Sequence, residues 1–515
     1  MLAVCAVAAI VLYRAPYSAS GLEPAPDAVE YALAGHRLAF QGHYTITVGG
    51  RDLPPRYSPW FSLLVTAPAY RLFGAEPGNA IIPVTILAVI GVLIAYRIGY
   101  RIGSEWGALL ASLGILAIPE YRNLGRLVMT DVPAVVLLLG ACLLYVRIRA
   151  SEKRPERDLA LAGVLIAIAA SFRPVSAAAV LPFLPAVVRP FRPLSLIRRA
   201  AALFGPLAVV GAATLFYDAS AFGSPGRNGY QFWCAIPYDY AGLTFSKYYL
   251  RRNLETLWRA WLPLLAVAGV ALWAVERSRR TARGETTRSA STQLLWFLLI
   301  GTGPMMVFHL YYFFPRLRFF LPSLVFAVVL VGSCAGALFA RMPRAALAVV
   351  AMLALAGALV FRIAAPDPTP DRRVTADLIR QTTPPSAWVI SGLAPAYLEY
   401  LVAGDSGRRI IPISRRVEYA NKVIVRKKID RPVPLPQGWW DHRGAGLLAG
   451  GAEEAVPYVA SERLDELGDE VRKGRPVFVD TSALRPRDEA ILQEIARRFQ
   501  MIPRGHQLFE LAPRV

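Results

Sequence analysis

Between residues 1 and 365 the chain repeats one theme, about eleven apolar runs approaching 20 residues each, separated by short polar stretches. Runs of that length are what a bilayer core selects, so this part is expected to be a bundle of membrane-spanning helices. The spans are placed at roughly 1–13, 80–96, 105–119, 132–146, 159–173, 175–188, 200–216, 258–275, 290–309, 319–340 and 345–364. The run MLAVCAVAAIVLY is short for a full span and lacks the basic flank of a signal peptide, which leaves a missing upstream start or a partial first helix open. From Pro366 onward the texture changes to short apolar strings divided by charges, Pro and Gly, as in a soluble α/β domain. Two domains are therefore expected: a polytopic α-helical membrane domain over 1–365 and an α/β domain over 366–515.

The net charge of +21 is a topological signal, not a nucleic-acid one. Residues 366–515 hold 23 Lys and Arg against 20 Asp and Glu, so +18 of the excess lies in the membrane part. It clusters in alternate loops: Arg97 and Arg101; Arg147 to Arg157; Arg189 to Arg199; Arg277 to Arg288; Arg341 and Arg344. By the positive-inside rule those loops are cytoplasmic. The loops holding Asp27, Asp131 and His309, and the whole tail, then share the extracytoplasmic face. Cys5, Cys142 and Cys334 fall in spans and the tail has no cysteine, which excludes a disulfide framework there. No CxxC, HExxH or Walker pattern is present, so redox, zinc-protease and ATP-driven readings lack their usual support.

Two carboxylates stand out. Asp27 opens a helical stretch, PDAVEYALAGHRLAFQ, in which Val29, Leu33, His36 and Phe40 share one side while Asp27 and Tyr31 point away. With Glu30 three residues on, Asp27 also fits a capping box, so a helix cap and a cleft-facing carboxylate both remain open. Asp131 follows IPEYRNLGRLVMT at the outer start of the fourth span, where a cap is again the plain alternative. Cations accompany them. Arg56 sits between Pro55 and Tyr57 in LPPRYSPWFSLLVTAPAYRLFG, a juxtamembrane or re-entrant segment, and its planar donors suit a lipid phosphate or a snorkelling role.

The long outer loop from Tyr217 combines aromatics with Arg227, Tyr230, Lys247, Arg251 and Arg252. Aromatic faces stack on sugars and cations attract phosphate, although the same composition describes an interfacial belt. So many cations on the outer side depart from positive-inside counting and point to an anionic ligand. A further turn offers His309, Arg316 and Arg318.

Taken in order, PDAVEYALAGHRLAFQGHY, RYSPWFSLLVTAPAYRLFG, GSEWGALLASLGILAIPEYRNLGRLVMTDVPAVVLLL, FGSPGRNGY and RLRFFLP resemble the GT-C class of integral membrane glycosyltransferases. Within that class the resemblance is to bacterial relatives of protein O-mannosyltransferases and aminoarabinose lipid A transferases. It implies an inverting transfer of a hexosyl or pentosyl unit from a polyprenyl-phosphate donor to a lipid, glycan or protein acceptor. The reaction would take place at the outer face of a bacterial plasma membrane. By position Asp27 matches the catalytic carboxylate and Asp131 the second acidic position. Arg56 lies where relatives carry a basic residue beside paired prolines, although here Pro54 and Pro55 precede it. Glu30, Tyr31, Arg316 and Arg318 carry over as pocket candidates, and Tyr57, Arg227, Tyr230, Lys247 and His309 join them as substrate-binding candidates from the composition of their loops. Some relatives use a divalent metal such as Mg or Mn; the candidate hard ligands here are Asp27, Glu30, Asp131 and His309, and metal use is left open. A lipid or glycan transporter and a GT-C-shaped scaffold without catalysis are the competing readings. The tail shows no phosphate-binding glycine fingerprint and is expected to recognise acceptor or act as a lid.

Overall fold

A computed structural model describes residues 2–12, 26–48, 51–150, 155–188, 192–233, 238, 241–281, 290–339, 372–391, 408–412, 448–449, 458–459, 461–482, 489–505 and 507–514. The chain divides into two compact units that alternate along the sequence. One comprises 1–16, 79–217 and 247–367, the other 17–78, 218–246 and 368–515. The expected domain boundary near 366 lies outside the described residues.

The first unit is helical. The described residues of the apolar runs expected before residue 340 are helical apart from Ile118, Arg173 and the turn at Ala260 and Trp261, and 345–364 lies outside the described residues. Five helices among the described residues are long and apolar enough to cross a membrane: Gly78–Ala117, Asp131–Ile148, Pro193–Phe222, Ala290–Leu310 and Leu317–Phe339. A sixth results if Lys247–Arg259 and Leu262–Ser278, bent by 61°, are one broken span. The protein is an integral membrane protein.

Two of the expected spans, 80–96 and 105–119, run together as the helix Ile81–Ala117, yet they remain distinct in space. Gly103 and Ser104 leave helical geometry (φ −127° and +57°), and beyond them the chain folds back. A Cβ on Gly99 would sit 2.3 Å from the Gly107 carbonyl oxygen, and Ser112 Oγ donates to the Val92 carbonyl at 3.4 Å. A straight helix would hold residues eight apart about 12 Å from one another. Gly99, Gly103 and Gly107 recur every fourth residue and line this reversal.

Helix Leu321–Phe339 packs on the same stripe through Gly332 and Gly336, where a Cβ would meet backbone of Ala111 and Gly107 at 2.7 and 2.1 Å. Lipid tails are as apolar as Leu, so helices in a bilayer associate through close backbone approach at small residues.

Ion pairs in this unit join neighbouring loops. Asp158 with Arg147 and Glu156 with Arg199 join loops expected to be cytoplasmic, and Asp131 with Arg173 joins two expected to be outer.

In the second unit, helix Pro26–Gln41 buries Ala28, Val29, Ala32 and Leu33. Gly35 lets it approach the π-helical turn Ser62–Thr66, because a Cβ there would lie 1.9 Å from Thr66 Oγ1. A short hairpin, Ile46–Val48 with Arg51–Leu53, links the two, and Arg37 ion-pairs with Asp52 across it. Tyr31 is buried against Tyr57, on the side of the helix it shares with Asp27, while Phe40 is exposed.

The tail forms a five-stranded mixed sheet in the order Arg409–Pro412, Trp388–Ser391, Val477–Asp480, Leu508–Pro513, Phe499–Pro503. The first three strands are parallel and the last two antiparallel. Trp388, Ile390, Val477 and Val479 pack with Leu464, Leu467 and Ile495 of helices Ser461–Arg472 and Glu489–Arg498. Trp388–Ser391 and Val477–Asp480 are buried along their whole length, as in strands covered on both faces, whereas Phe499–Pro503 and Leu508–Pro513 are buried only in part.

Candidate functional site

The helix begins at Pro26, whose missing N–H costs nothing at a first helical position, and this places Asp27 in the first turn. There the free N–H groups and the helix dipole favour a carboxylate. Asp27 Oδ1 accepts a hydrogen bond from Arg56 Nη2 at 2.7 Å. One turn on, Glu30 is fully buried; its Oε1 accepts the Arg56 backbone N–H at 2.7 Å and its Oε2 lies 3.3 Å from Arg56 Nη2. Glu30 thus holds Arg56 by main chain and side chain together. The spacing of Asp27 and Glu30 puts both carboxylates on one helix face, where a single guanidinium bridges them.

Aromatic rings wall this cluster. Tyr57 stacks on Tyr31 with centroids 4.2 Å apart, and Tyr230 meets Tyr57 edge-on at 5.6 Å. The Arg56 guanidinium carbon is 4.7 Å from the Tyr57 ring centroid and 5.8 Å from that of Tyr230. Arg56 also donates to the Tyr57 phenol oxygen, which leaves the phenol proton for another acceptor. Burial raises the Tyr57 pKa well above the ordinary phenol value, with neighbouring Arg56 opposing and Asp27 adding to the rise. Tyr57 is therefore a neutral hydrogen-bond donor at physiological pH. Gly229 packs against the Arg56 backbone, with room for no side chain: its Cβ would fall 2.4 Å from the Arg56 carbonyl oxygen. Trp233 Nε1 donates to the Pro54 carbonyl at 2.8 Å. Six expected residues, Asp27, Glu30, Tyr31, Arg56, Tyr57 and Tyr230, thus converge, supported by Gly229 and Trp233, which sequence reasoning missed.

In the other unit, Asp131 starts helix Asp131–Ala150 with its side chain fully buried and ion-paired to Arg173. Asp131 Oδ2 and Arg173 Nε are buried without hydrogen-bond partners. The Arg173 guanidinium lies 5.5 Å from the Phe319 ring, which stacks on His309 at 5.0 Å, and His309 Nδ1 contacts the Met305 carbonyl at 2.8 Å. Arg173 was missed because a lone Arg at the end of a span resembles a snorkelling residue. The available clue was that its loop shares a side with Asp131.

Among the remaining expected residues, Arg318 joins the second cluster, where its guanidinium and that of Arg173 both face the Phe319 ring. Arg227 is exposed near the Phe232 ring, Lys247 is exposed, and Arg316 lies beside the Phe314 ring. For a divalent metal the donor set does not fit. Both Asp27 and Glu30 engage a guanidinium, and among the described residues no three His, Cys, Asp or Glu side chains gather.

Residues 55–217 match the family model described as dolichyl-phosphate-mannose-protein mannosyltransferase. The crystal structure of ArnT from Cupriavidus metallidurans bound to undecaprenyl phosphate superposes with a TM-score of 0.60 at 12% identity, covering 99% of this chain and 97% of that one. The chain has the GT-C glycosyltransferase fold. The apo form of the same ArnT gives 0.58 over the same shares at 12% identity. The Archaeoglobus fulgidus oligosaccharyltransferase, in complex with zinc and sulfate, gives 0.50 at 14% identity over 81% of this chain and 64% of that one. No curated protein matches in sequence. The GT-C fold is thus retained here at very low identity, and the matched segment begins beside Arg56 and contains Asp131 and Arg173.

Proposed function

We propose that this protein transfers a sugar from a polyprenyl-phosphate-linked donor to an acceptor at the extracytoplasmic face of a bacterial plasma membrane, with inversion and with Asp27 as the base. The observation that carries the reading is the Asp27–Arg56–Glu30 cluster beneath the Tyr31, Tyr57 and Tyr230 rings, in a protein with the GT-C fold. A general base and a phosphate-binding cation are the two groups that displacement of a lipid phosphate requires.

The acceptor hydroxyl gives its proton to the Asp27 carboxylate as its oxygen attacks the anomeric carbon. The bond from that carbon to the phosphate oxygen breaks, and its electron pair leaves with the polyprenyl phosphate. Arg56 and the Tyr57 hydroxyl donate to the phosphate as its charge grows. Tyr230 and Tyr57 present ring faces to the sugar. Because Arg56 Nη2 is held by Asp27 before the donor arrives, an incoming phosphate competes for that nitrogen. Its success releases Asp27 to act as a base. The domain from 366 recognises acceptor.

The reading is tested by incubating the purified protein with lipid extract from cells lacking the gene and following free polyprenyl phosphate. Release that depends on the protein supports the reading; unchanged lipid that is carried across proteoliposomes would favour a transporter instead.

A further inference from the structure

The outer-loop cations Lys247, Arg251 and Arg252 lie outside both clusters, and helix Leu250–Arg259 gives most of them a place. At about 100° per residue the helix divides into three sectors. Asn253 and Leu257 are buried, and Asn253 Nδ2 donates to the carbonyls of Leu310 and Tyr312 at 2.9 Å each, which fixes this side to the protein. The next sector is apolar yet exposed: Leu254 and Trp258, continued by Trp261, with both tryptophans about two-thirds exposed. The third carries Arg251, Arg252, Glu255 and Arg259, all exposed.

Protein contact, apolar exposure and positive charge therefore follow one another around a single helix. The chain then turns at Trp261 (φ +59°) into the apolar helix Leu262–Thr281, whose Leu264, Val267 and Val270 are exposed in the same way. The exposed apolar residues of the short helix are thus followed along the chain by exposed apolar residues of the adjoining helix, bent from it by 61°. A helix with an apolar stripe at the acyl boundary and Arg beside it is built to lie at the headgroup level.

We propose that helix Leu250–Arg259 is an interfacial anchor that selects anionic phospholipid. Leu254, Trp258 and Trp261 enter the acyl boundary, while Arg251, Arg252 and Arg259 bind headgroup phosphates. Glu255 pairs with Arg251 at 3.1 Å and keeps that guanidinium on the charged side. This assignment does not depend on the transfer reaction. It accounts for cations on the side where positive-inside counting expects few.

The test places the full-length protein in nanodiscs of mixed phosphatidylcholine and phosphatidylglycerol and measures, by native mass spectrometry, the lipids it retains. The wild type is expected to enrich phosphatidylglycerol about fivefold or more over the bulk ratio. The triple variant R251Q/R252Q/R259Q is expected to return to that ratio. If the variant does not fold, the wild type in about 1 M salt decides, because screening there reaches about 3 Å and the enrichment should collapse. A wild type at the bulk ratio, or enrichment that persists in the variant or in high salt, would overturn the proposal. Loss of phosphatidylglycerol on adding one equivalent of undecaprenyl phosphate would overturn it too, by assigning the site to that lipid.

Discussion

Arg56 Nη2 lies 2.7 Å from Asp27 Oδ1 and 3.3 Å from Glu30 Oε2, so one guanidinium nitrogen serves two carboxylates that sit one turn apart on the same helix. The two carboxylates are not equivalent. Glu30 is sealed from solvent, whereas Asp27 keeps part of its side chain exposed. The buried one is placed to hold Arg56 and the exposed one to meet substrate.

Removing the cation tests this division. Arg56→Ala leaves Glu30 buried without its guanidinium, at a cost of about 3 kcal/mol. Adding Glu30→Gln should recover most of that loss in a double-mutant cycle read by thermal unfolding. Recovery with Asp27→Asn in place of Glu30→Gln would assign the structural role to the wrong carboxylate.

The Asp131–Arg173 pair predicts a larger effect. Asp131 is fully buried and one of its oxygens already lacks a partner, so Arg173→Met should destabilise the protein by about 3–5 kcal/mol. Asp131→Asn with Arg173→Gln removes both charges and should unfold much closer to the wild type. A single variant that melts like the wild type would show that the pair is not formed.

Gly336 and Gly211 form a contrasting pair. A Cβ on Gly336 would overlap Gly107 backbone, so Gly336→Ala should cost about 2–3 kcal/mol, while Gly211 sits within helix Pro193–Phe222 with nothing near it. Gly211→Ala should be neutral or stabilise by up to about 1 kcal/mol. Comparable melting of the two variants would refute the close packing described.

Acid should loosen the helix that carries Asp27. Burial, and then the Arg37 charge, lower the His36 pKa from its ordinary 6.5. The neutral imidazole is therefore favoured in the fold. As pH falls below about 6.5 the unfolded chain takes the proton first, so this contribution is intact above that pH and is lost below it. Between about pH 7 and 5 the wild type should lose stability faster than His36→Gln, and parallel melting curves would contradict this.

Much of the architecture was legible before any coordinates. Span length and apolarity are strong local signals, so the helices follow from composition. The convergence of Asp27, Glu30 and Tyr31 on Arg56 and Tyr57 was partly legible, because each resembled a family position while their contacts remained unstated. Gly229 and Trp233 were not, since they meet Arg56 and Pro54 across more than 170 residues and no periodicity encodes such a contact. The reversal at Gly103 and Ser104 was visible only as a gap between two spans.

The central claim is that Asp27 takes the acceptor proton in a sugar transfer from a polyprenyl-phosphate donor. Lipid mass spectrometry on cells lacking this gene, complemented with either the wild type or Asp27→Asn, tests it most directly. A polyprenyl-phosphate sugar is expected to accumulate in the deletion, to disappear with the wild type, and to persist with an Asp27→Asn protein present at normal levels. Its loss with Asp27→Asn as fast as with the wild type would contradict the assignment, because removing a general base slows a reaction by about 10²–10⁴-fold.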